Sequence, residues 1–203
     1  MFKGTSASAG IGIGKAVIVE EAELVITRNE VADAEAEIQR FKGALEKTIA
    51  ATQKMADDLA SRVGEKEAEI MQGHMMLLSD PMLTGEIENS VKNDKVNCEF
   101  AIENVCNMYA DMFASMGDEL MQQRATDMRD IKVRMQRTLM GLESVDVSLL
   151  PKGSILVAKD LTPSMTAGIN PENVSGIVTE LGGKTSHSAI LARALEIPAV
   201  VAV

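Results

Sequence analysis

Lys15-Ala16-Val17-Ile18-Val19 reads as a β-strand, and it decides the architecture. A strand needs partners for its backbone N–H and C=O groups. Before it, Ala7-Ser8-Ala9-Gly10-Ile11-Gly12-Ile13-Gly14 is rich in Gly and Ser. That segment is no dinucleotide-binding turn, because the pattern should follow a strand and open a helix. Here it precedes a strand and lacks a third Gly at the right offset, so it reads as a tight-turn entry to a sheet. After the strand, residues from about Glu30 to Leu142 are helical in pattern and offer it nothing to pair with. The next β-like runs are Ile155–Ala158, Gly176–Thr179 and Ala199–Val203. The simplest fold pairs Ala16–Val19 with those C-terminal strands. It is a discontinuous α/β domain over residues 1–22 and 144–203, with an all-α helical bundle inserted over residues 30–142.

Within the insertion, Val31, Ala34, Ile38, Phe41 and Leu45 recur at helical spacing, and Met55 and Leu59 resume the stripe that Thr48 and Thr52 weaken. Thr27 and Asn29 are N-cap candidates, and Gly64 is a break. A second helix is predicted over 65–79, ended by Asp80-Pro81, and a third, short and polar, over 84–93. A fourth covers 99–116, with Phe100, Val105, Met108, Met112 and Met116 as its apolar residues. A fifth covers 118–142, with Leu120, Met121, Met128, Ile131, Met135, Leu139 and Leu142 recurring. Short connections favour antiparallel neighbours. In the α/β part, Leu161-Thr162-Pro163-Ser164 and a helix-like Ser188–Leu195 lie between strands.

Composition narrows the function. The chain has 203 residues and a formal charge of −10. That acidity argues against nucleic acid and against an anionic membrane surface as partners. No apolar run reaches the roughly 20 residues of a membrane span, and Met1-Phe2-Lys3-Gly4 does not open a signal peptide. A cytoplasmic protein is expected. Cys98 and Cys106 sit about 12 Å apart on one helix, beyond the roughly 4.4–6.8 Å of a disulfide. With two His, a Cys/His zinc site is not expected. The 14 Met residues suit a helical core or an adaptable surface. Residues 144–203 hold five acids and four bases, so a net of −9 falls on residues 1–143. Either a solvated face or a docking face for a basic partner accounts for it.

The chemistry concentrates in Leu181-Gly182-Gly183-Lys184-Thr185-Ser186-His187-Ser188-Ala189-Ile190-Leu191-Ala192-Arg193. A P-loop would need Gly at 178, where Val178 stands, and Gly176 is two residues too early. Two glycines after a strand allow a tight turn, and Thr185, Ser186 and Ser188 supply hydroxyls. The following helix points free N–H groups and its positive end toward His187. Imidazole is nucleophilic near neutral pH and needs no proton removed from the attacking nitrogen. A phosphohistidine site fits this setting; so does a His that merely satisfies helix N–H groups. His74 reads as a helix residue at the polar edge of the core, a partner-facing residue or a second nucleophile. It lacks the Gly-Gly and hydroxyl setting, so His187 is the better phosphate acceptor. No G-x-S-x-G elbow appears, and the helical carboxylates fall on solvated faces.

Gly182 to Arg193 resembles the phosphorylation-site signature of phosphoenolpyruvate-utilising enzymes, shared by Enzyme I of the bacterial sugar phosphotransferase system, pyruvate phosphate dikinase and phosphoenolpyruvate synthase. Gly4–Ala16, Glu69–Leu78, Arg124–Ile131 and Asp160–Ser164 are similar to the Enzyme I family, so the likeness spans essentially the whole chain. Nothing resembles the ATP-binding domain that opens dikinases and synthases. The resemblance implies that His187 takes a phosphoryl group on Nε2 and passes it to a His of the small carrier HPr. It implies that Thr166, in Ser164-Met165-Thr166-Ala167, orients His187, with Gly183, Thr185 and Ser188 around the phosphate. It also implies HPr docking on the helical part, through Ile70, His74, Leu77, Asp80, Leu83, Met121 and Arg124. The net −9 suits a carrier that is basic around its own His. Met82 stands where relatives usually carry an acid, which bears on docking.

The family's C-terminal barrel, which binds phosphoenolpyruvate and Mg2+ and forms a homodimer, has no counterpart in these 203 residues. No metal or cofactor is therefore expected in this chain. A monomer truncated within its α/β domain is expected, exchanging phosphate with phospho-HPr only. The alternatives are an Enzyme I-like domain of another phosphotransfer protein (a nitrogen-regulatory paralogue or the dihydroxyacetone kinase phosphoryl donor) and a non-catalytic HPr-binding regulator.

Overall fold

The computed structural model describes residues 3–203. In chain order the elements are β1 (Thr5–Ser8), β2 (Lys15–Val19), α1 (Ala34–Arg62), α2 (Glu65–Leu78), α3 (Pro81–Asp94), α4 (Cys98–Ser115) and α5 (Glu119–Met140). A 3₁₀ turn (Val147–Leu149), β3 (Ser154–Ala158), α6 (Pro163–Ala167), β4 (Val174–Thr179), α7 (His187–Ala194) and β5 (Ala199–Val201) follow. The chain divides into two compact units. One holds the residues up to Ala22, 55–70 and 145–203; the other holds 23–54 and 71–144. Segment 55–70, helical in pattern, thus clusters with the α/β elements. No helix among the described residues is long and apolar enough to cross a membrane.

The α/β unit carries a mixed sheet, α/β as expected, in the order β1-β5-β4-β3-β2. β2 pairs parallel with β3, Lys15 opposite Ser154 and Val19 opposite Ala158, so the N-terminal strand finds its partner about 140 residues away in sequence. β3, β4 and β5 continue in parallel, and β1 closes the far edge antiparallel to β5. β1 is not legible in Thr5-Ser6-Ala7-Ser8, whose small polar residues carry little strand preference. It forms because β5 offers an open ladder. Gly12 and Gly14 have a steric reason. A Cβ on either would overlap the carbonyl oxygen of Ser175 or Gly153. Ile11 and Ile13 alternate with them and stand 89% and 84% exposed. The core of this unit is formed by Val19, Leu156, Leu161, Ile169, Ile177, Ala189, Ile197 and Val201.

In the helical unit, Ile38, Phe41, Ile87, Ile102, Met128, Ile131 and Met135 form the core. Four details depart from the sequence pattern. The cap of α1 is Asp33, whose Oδ1 accepts from Glu35 N–H and Ala36 N–H, and not Thr27 or Asn29. Asn29 is committed elsewhere: its backbone pairs with Asn97, and Val31 N–H donates to Lys95 O. Asp80-Pro81 does more than end α2. Asp80 accepts from Met82 N–H at 2.8 Å and opens α3 with Pro81 in its first turn, three residues earlier than expected. α3 is not polar all round, since Leu83, Ile87 and Val91 are buried. The buried stripe of α4 is Cys98, Ala101, Ile102, Val105, Cys106 and Ala110, while Met108, Met112 and Met116 are exposed. The small residues let α5 approach closely, so they and not the long Met side chains take the inner face. Leu120 and Leu142 are likewise exposed. Both cysteines are free and buried, and burial pushes each thiol up to about 12.

Candidate phosphoryl-acceptor site

Beyond β4 the chain turns sharply. Glu180 N–H and Leu181 N–H donate to Ala158 O and Lys159 O, and Thr179 Oγ1 donates to Leu181 O at 2.6 Å. Gly182 then adopts φ +101°, which side chains rarely tolerate. Ser186 closes the turn by donating from N–H and Oγ to Gly183 O at 3.1 and 2.9 Å. It also caps α7, its Oγ accepting from Ala189 N–H at 3.3 Å and sharing a 2.9 Å hydrogen bond with Ser188 Oγ. Capping α7 is therefore the work of Ser186. His187 is the first residue of α7. His187 is half-buried, Ser188 and its hydroxyl are buried, and Thr185 and Lys184 are exposed.

No acid lies between Glu180 and Glu196, whereas Lys184 and Arg193 do. Arg193 Nη1 donates to Lys184 O at 2.9 Å and to Ala7 O at 3.0 Å, tying the loop to β1. A positive helix end, main-chain turns and neutral hydroxyls suit a phosphoryl group better than fixed carboxylates would. Thr166 sits buried on α6, which packs on α7. Its Oγ1 donates to Pro163 O at 2.8 Å. With that proton committed, the hydroxyl can only accept from a further partner.

The residues assigned to docking fall into two sets. Ile70 and Leu77 on α2, Asp80 at the cap of α3, and Met121 and Arg124 on α5 are half-buried and retain surface. Leu83 is buried in the core, and His74 is 0% exposed, so neither side chain presents surface to a partner. His74 faces two carboxylates instead. Its Nε2 lies 3.2 Å from Asp127 Oδ1, and its Nδ1 lies 3.7 Å from Asp130 Oδ2. Arg124 Nη1 reaches Asp127 Oδ2 at 3.4 Å over Gly73, where a Cβ would meet the guanidinium. Arg134 Nη2 donates to Thr52 Oγ1 at 2.7 Å, and burial pushes its guanidinium pKa down against the opposing effect of Asp130. In the sequence, Asp127, Asp130 and Arg134 look like an exposed charged face. Their interleaving with Met128, Ile131 and Met135 was the available signal.

A cavity of about 320 Å³ in the helical unit is lined by Val25, Ile26, Val31, Arg40, Glu37, Glu99 and Met140, among others. Its charges are already paired: Arg40 bonds Glu37 and Glu99 at 2.6 and 2.8 Å. Among the described residues, no group of three or more His, Cys, Asp or Glu is placed to hold a metal ion.

Comparison with known proteins gives the family. The family described as "PEP-utilising enzyme, N-terminal" matches residues 3–124, and "PEP-utilising enzyme, mobile domain" matches residues 150–203. The chain is 43% identical over 200 residues to a phosphoenolpyruvate-protein phosphotransferase of Bacillus subtilis (strain 168), covering 98% of this chain and 35% of that one. A protein of the same name from Listeria monocytogenes is 44% identical over the same shares. The chain thus spans about a third of the length of these curated relatives. An NMR solution structure of Enzyme I (nEIt) superposes with a TM-score of 0.86 at 40% identity, over 100% of this chain and 82% of that one. The N-terminal domain of Enzyme 1 - Nitrogen gives a TM-score of 0.67 at 27% identity, over 98% and 82%.

Proposed function

This chain belongs to the phosphoenolpyruvate-utilising enzymes, and from that premise we propose that it carries the phosphohistidine relay of an Enzyme I-type phosphotransferase. His187 takes a phosphoryl group and exchanges it with a His of the carrier HPr. The observation that carries this reading is the setting of His187. It opens a helix already capped by Ser186, in a loop free of acids, beside the helix that bears Thr166. The Thr166 hydroxyl gives its proton to Pro163 O, so it would accept from His187 Nδ1–H. That selects the tautomer with a lone pair on Nε2. Nε2 attacks phosphorus, a new P–N bond forms, and the P–N bond to the donor imidazole breaks with its electron pair returning to the donor nitrogen. No proton has to move in the exchange.

Gly183 and the hydroxyls of Thr185 and Ser188 would surround the phosphate. HPr would dock on the helical residues that keep surface, Ile70, Leu77, Asp80, Met121 and Arg124, with the exposed Met82 beside them in sequence. Use of phosphoenolpyruvate, with Mg2+, would depend on the part of the relatives that this chain does not span. The greater likeness to the Enzyme I structure than to the nitrogen enzyme favours an Enzyme I over a nitrogen-regulatory paralogue.

Intact mass after mixing with phosphorylated HPr tests the reading. One acid-labile phosphate is expected on the chain and none on His187→Ala. HPr binding without transfer would point to the non-catalytic regulator instead.

A further inference from the structure

α6 is five residues long, too short to persist on its own hydrogen bonds. Thr162 caps its start, with Pro163 in the first turn. Its end is held from far away in sequence. Arg62, in the last turn of α1, donates from Nη2 to Ala167 O and from Nη1 to Ile169 O, both at 2.6 Å. Its Nε donates to Asp58 O of its own helix at 3.2 Å. One guanidinium thus serves the C-terminal ends of two helices, where a positive charge is favourable. Three bonds on a planar fork also fix its orientation, which a lysine ammonium could not reproduce. Ala167, one of the clamped residues, directly follows Thr166.

From this geometry we infer that Arg62 is a positioning residue for phosphotransfer: it fixes α6, and through it the Thr166 hydroxyl that sets the His187 ring. The inference rests on the phosphohistidine reading and adds to it a residue remote from the reacting atoms. Two observations make the clamp more than a helix end-piece. Thr166 is buried and already bonded within α6, so its hydroxyl moves only as the helix moves. α6 also packs on α7, so a shift of the first moves Thr166 relative to the helix that His187 opens.

The test compares the full chain with Arg62→Gln and Arg62→Lys by two readouts. One is the single-turnover rate of phosphate uptake from phospho-HPr as a function of carrier concentration. The other is the ¹⁵N imidazole spectrum of His187 without phosphate. For Arg62→Gln we expect a saturating rate lower by roughly ten- to a hundredfold, an unchanged half-saturating carrier concentration and a His187 tautomer shifted toward Nε2–H. Arg62→Lys, which keeps the charge and the fold but not the fork, should show the same shift in smaller degree. Wild-type rate and wild-type imidazole signals in both variants, whatever their melting temperatures, would overturn the inference. If the wild type takes no phosphate, the phosphohistidine reading falls, while the imidazole spectra still decide whether Arg62 controls the ring.

Discussion

In the helical unit Arg40 lies between Glu37 and Glu99, Lys132 reaches Glu103 at 2.9 Å, and His74 sits between Asp127 and Asp130. At the end of the α/β sheet the loop from Thr179 to Ser188 is held by hydroxyls and main-chain carbonyls. The two regions solve one problem, placing polar groups inside a fold, in different currencies. Ion pairs such as Arg40 with Glu37 and Glu99 fix helix against helix and make that packing sensitive to pH and to the loss of either partner. Neutral hydroxyls fix a loop without setting a negative charge where the proposed phosphoryl group would sit. The proposed docking role tolerates the first device, and the proposed anion-accepting site calls for the second.

Three changes would break or sharpen that contrast. The largest effect is expected from Asp127→Ala, which strips a buried carboxylate from His74 and Arg124. It should cost the helical unit about 3–5 kcal/mol, read as a lower urea midpoint by circular dichroism. A loss below about 0.5 kcal/mol, typical of a surface site, would mean that the buried charges do not hold the helices. Gly182→Ala forces a side chain to φ +101° and should cost about 1–3 kcal/mol. Its effect should appear first as slowed phosphate uptake; equal slowing by Gly183→Ala, at a glycine with no atom near its would-be Cβ, would remove the backbone argument.

The smallest effect is a pH dependence. Burial pushes the carboxyls of Glu37, Glu99 and Glu103 up. Bonds from Arg40, or from Gln136, Lys132 and Asn107, more than offset it, so all three sit below their usual value of 4.5. Groups with a depressed folded pKa stabilise fully above the unfolded value and lose that contribution as pH falls through the folded one. The urea midpoint of the helical unit should therefore hold steady down to about 4.5 and fall below it. A midpoint that rises as pH drops below that value would contradict the sign.

Much of this was legible before folding. Hydrophobic spacing marks Ile38, Phe41, Met128, Ile131 and Met135 as core, and the β-branched runs mark β2, β3, β4 and β5. The unit around His187 was legible as chemistry, because a Gly-Gly turn, hydroxyls and a helix start are local features. β1 was not, since Thr5-Ser6-Ala7-Ser8 becomes a strand only when β5 is beside it. The inner face of α4 was not either, because its apolar residues encircle much of the helix and only the approach of α5 selects Cys98, Ala101 and Cys106 over the methionines.

Local sequence alone determined the type of every element but β1, the turn after β4 and the lack of acids in the chain on either side of His187, because those follow from backbone freedom and residue chemistry within a few positions. Tertiary structure alone decided that His74 is a buried partner of Asp127, that Ser186 and not His187 caps α7, and that Arg62 clamps α6. Each depends on which polar groups are left without water when distant segments meet. A buried polar atom takes whatever partner packing brings within reach.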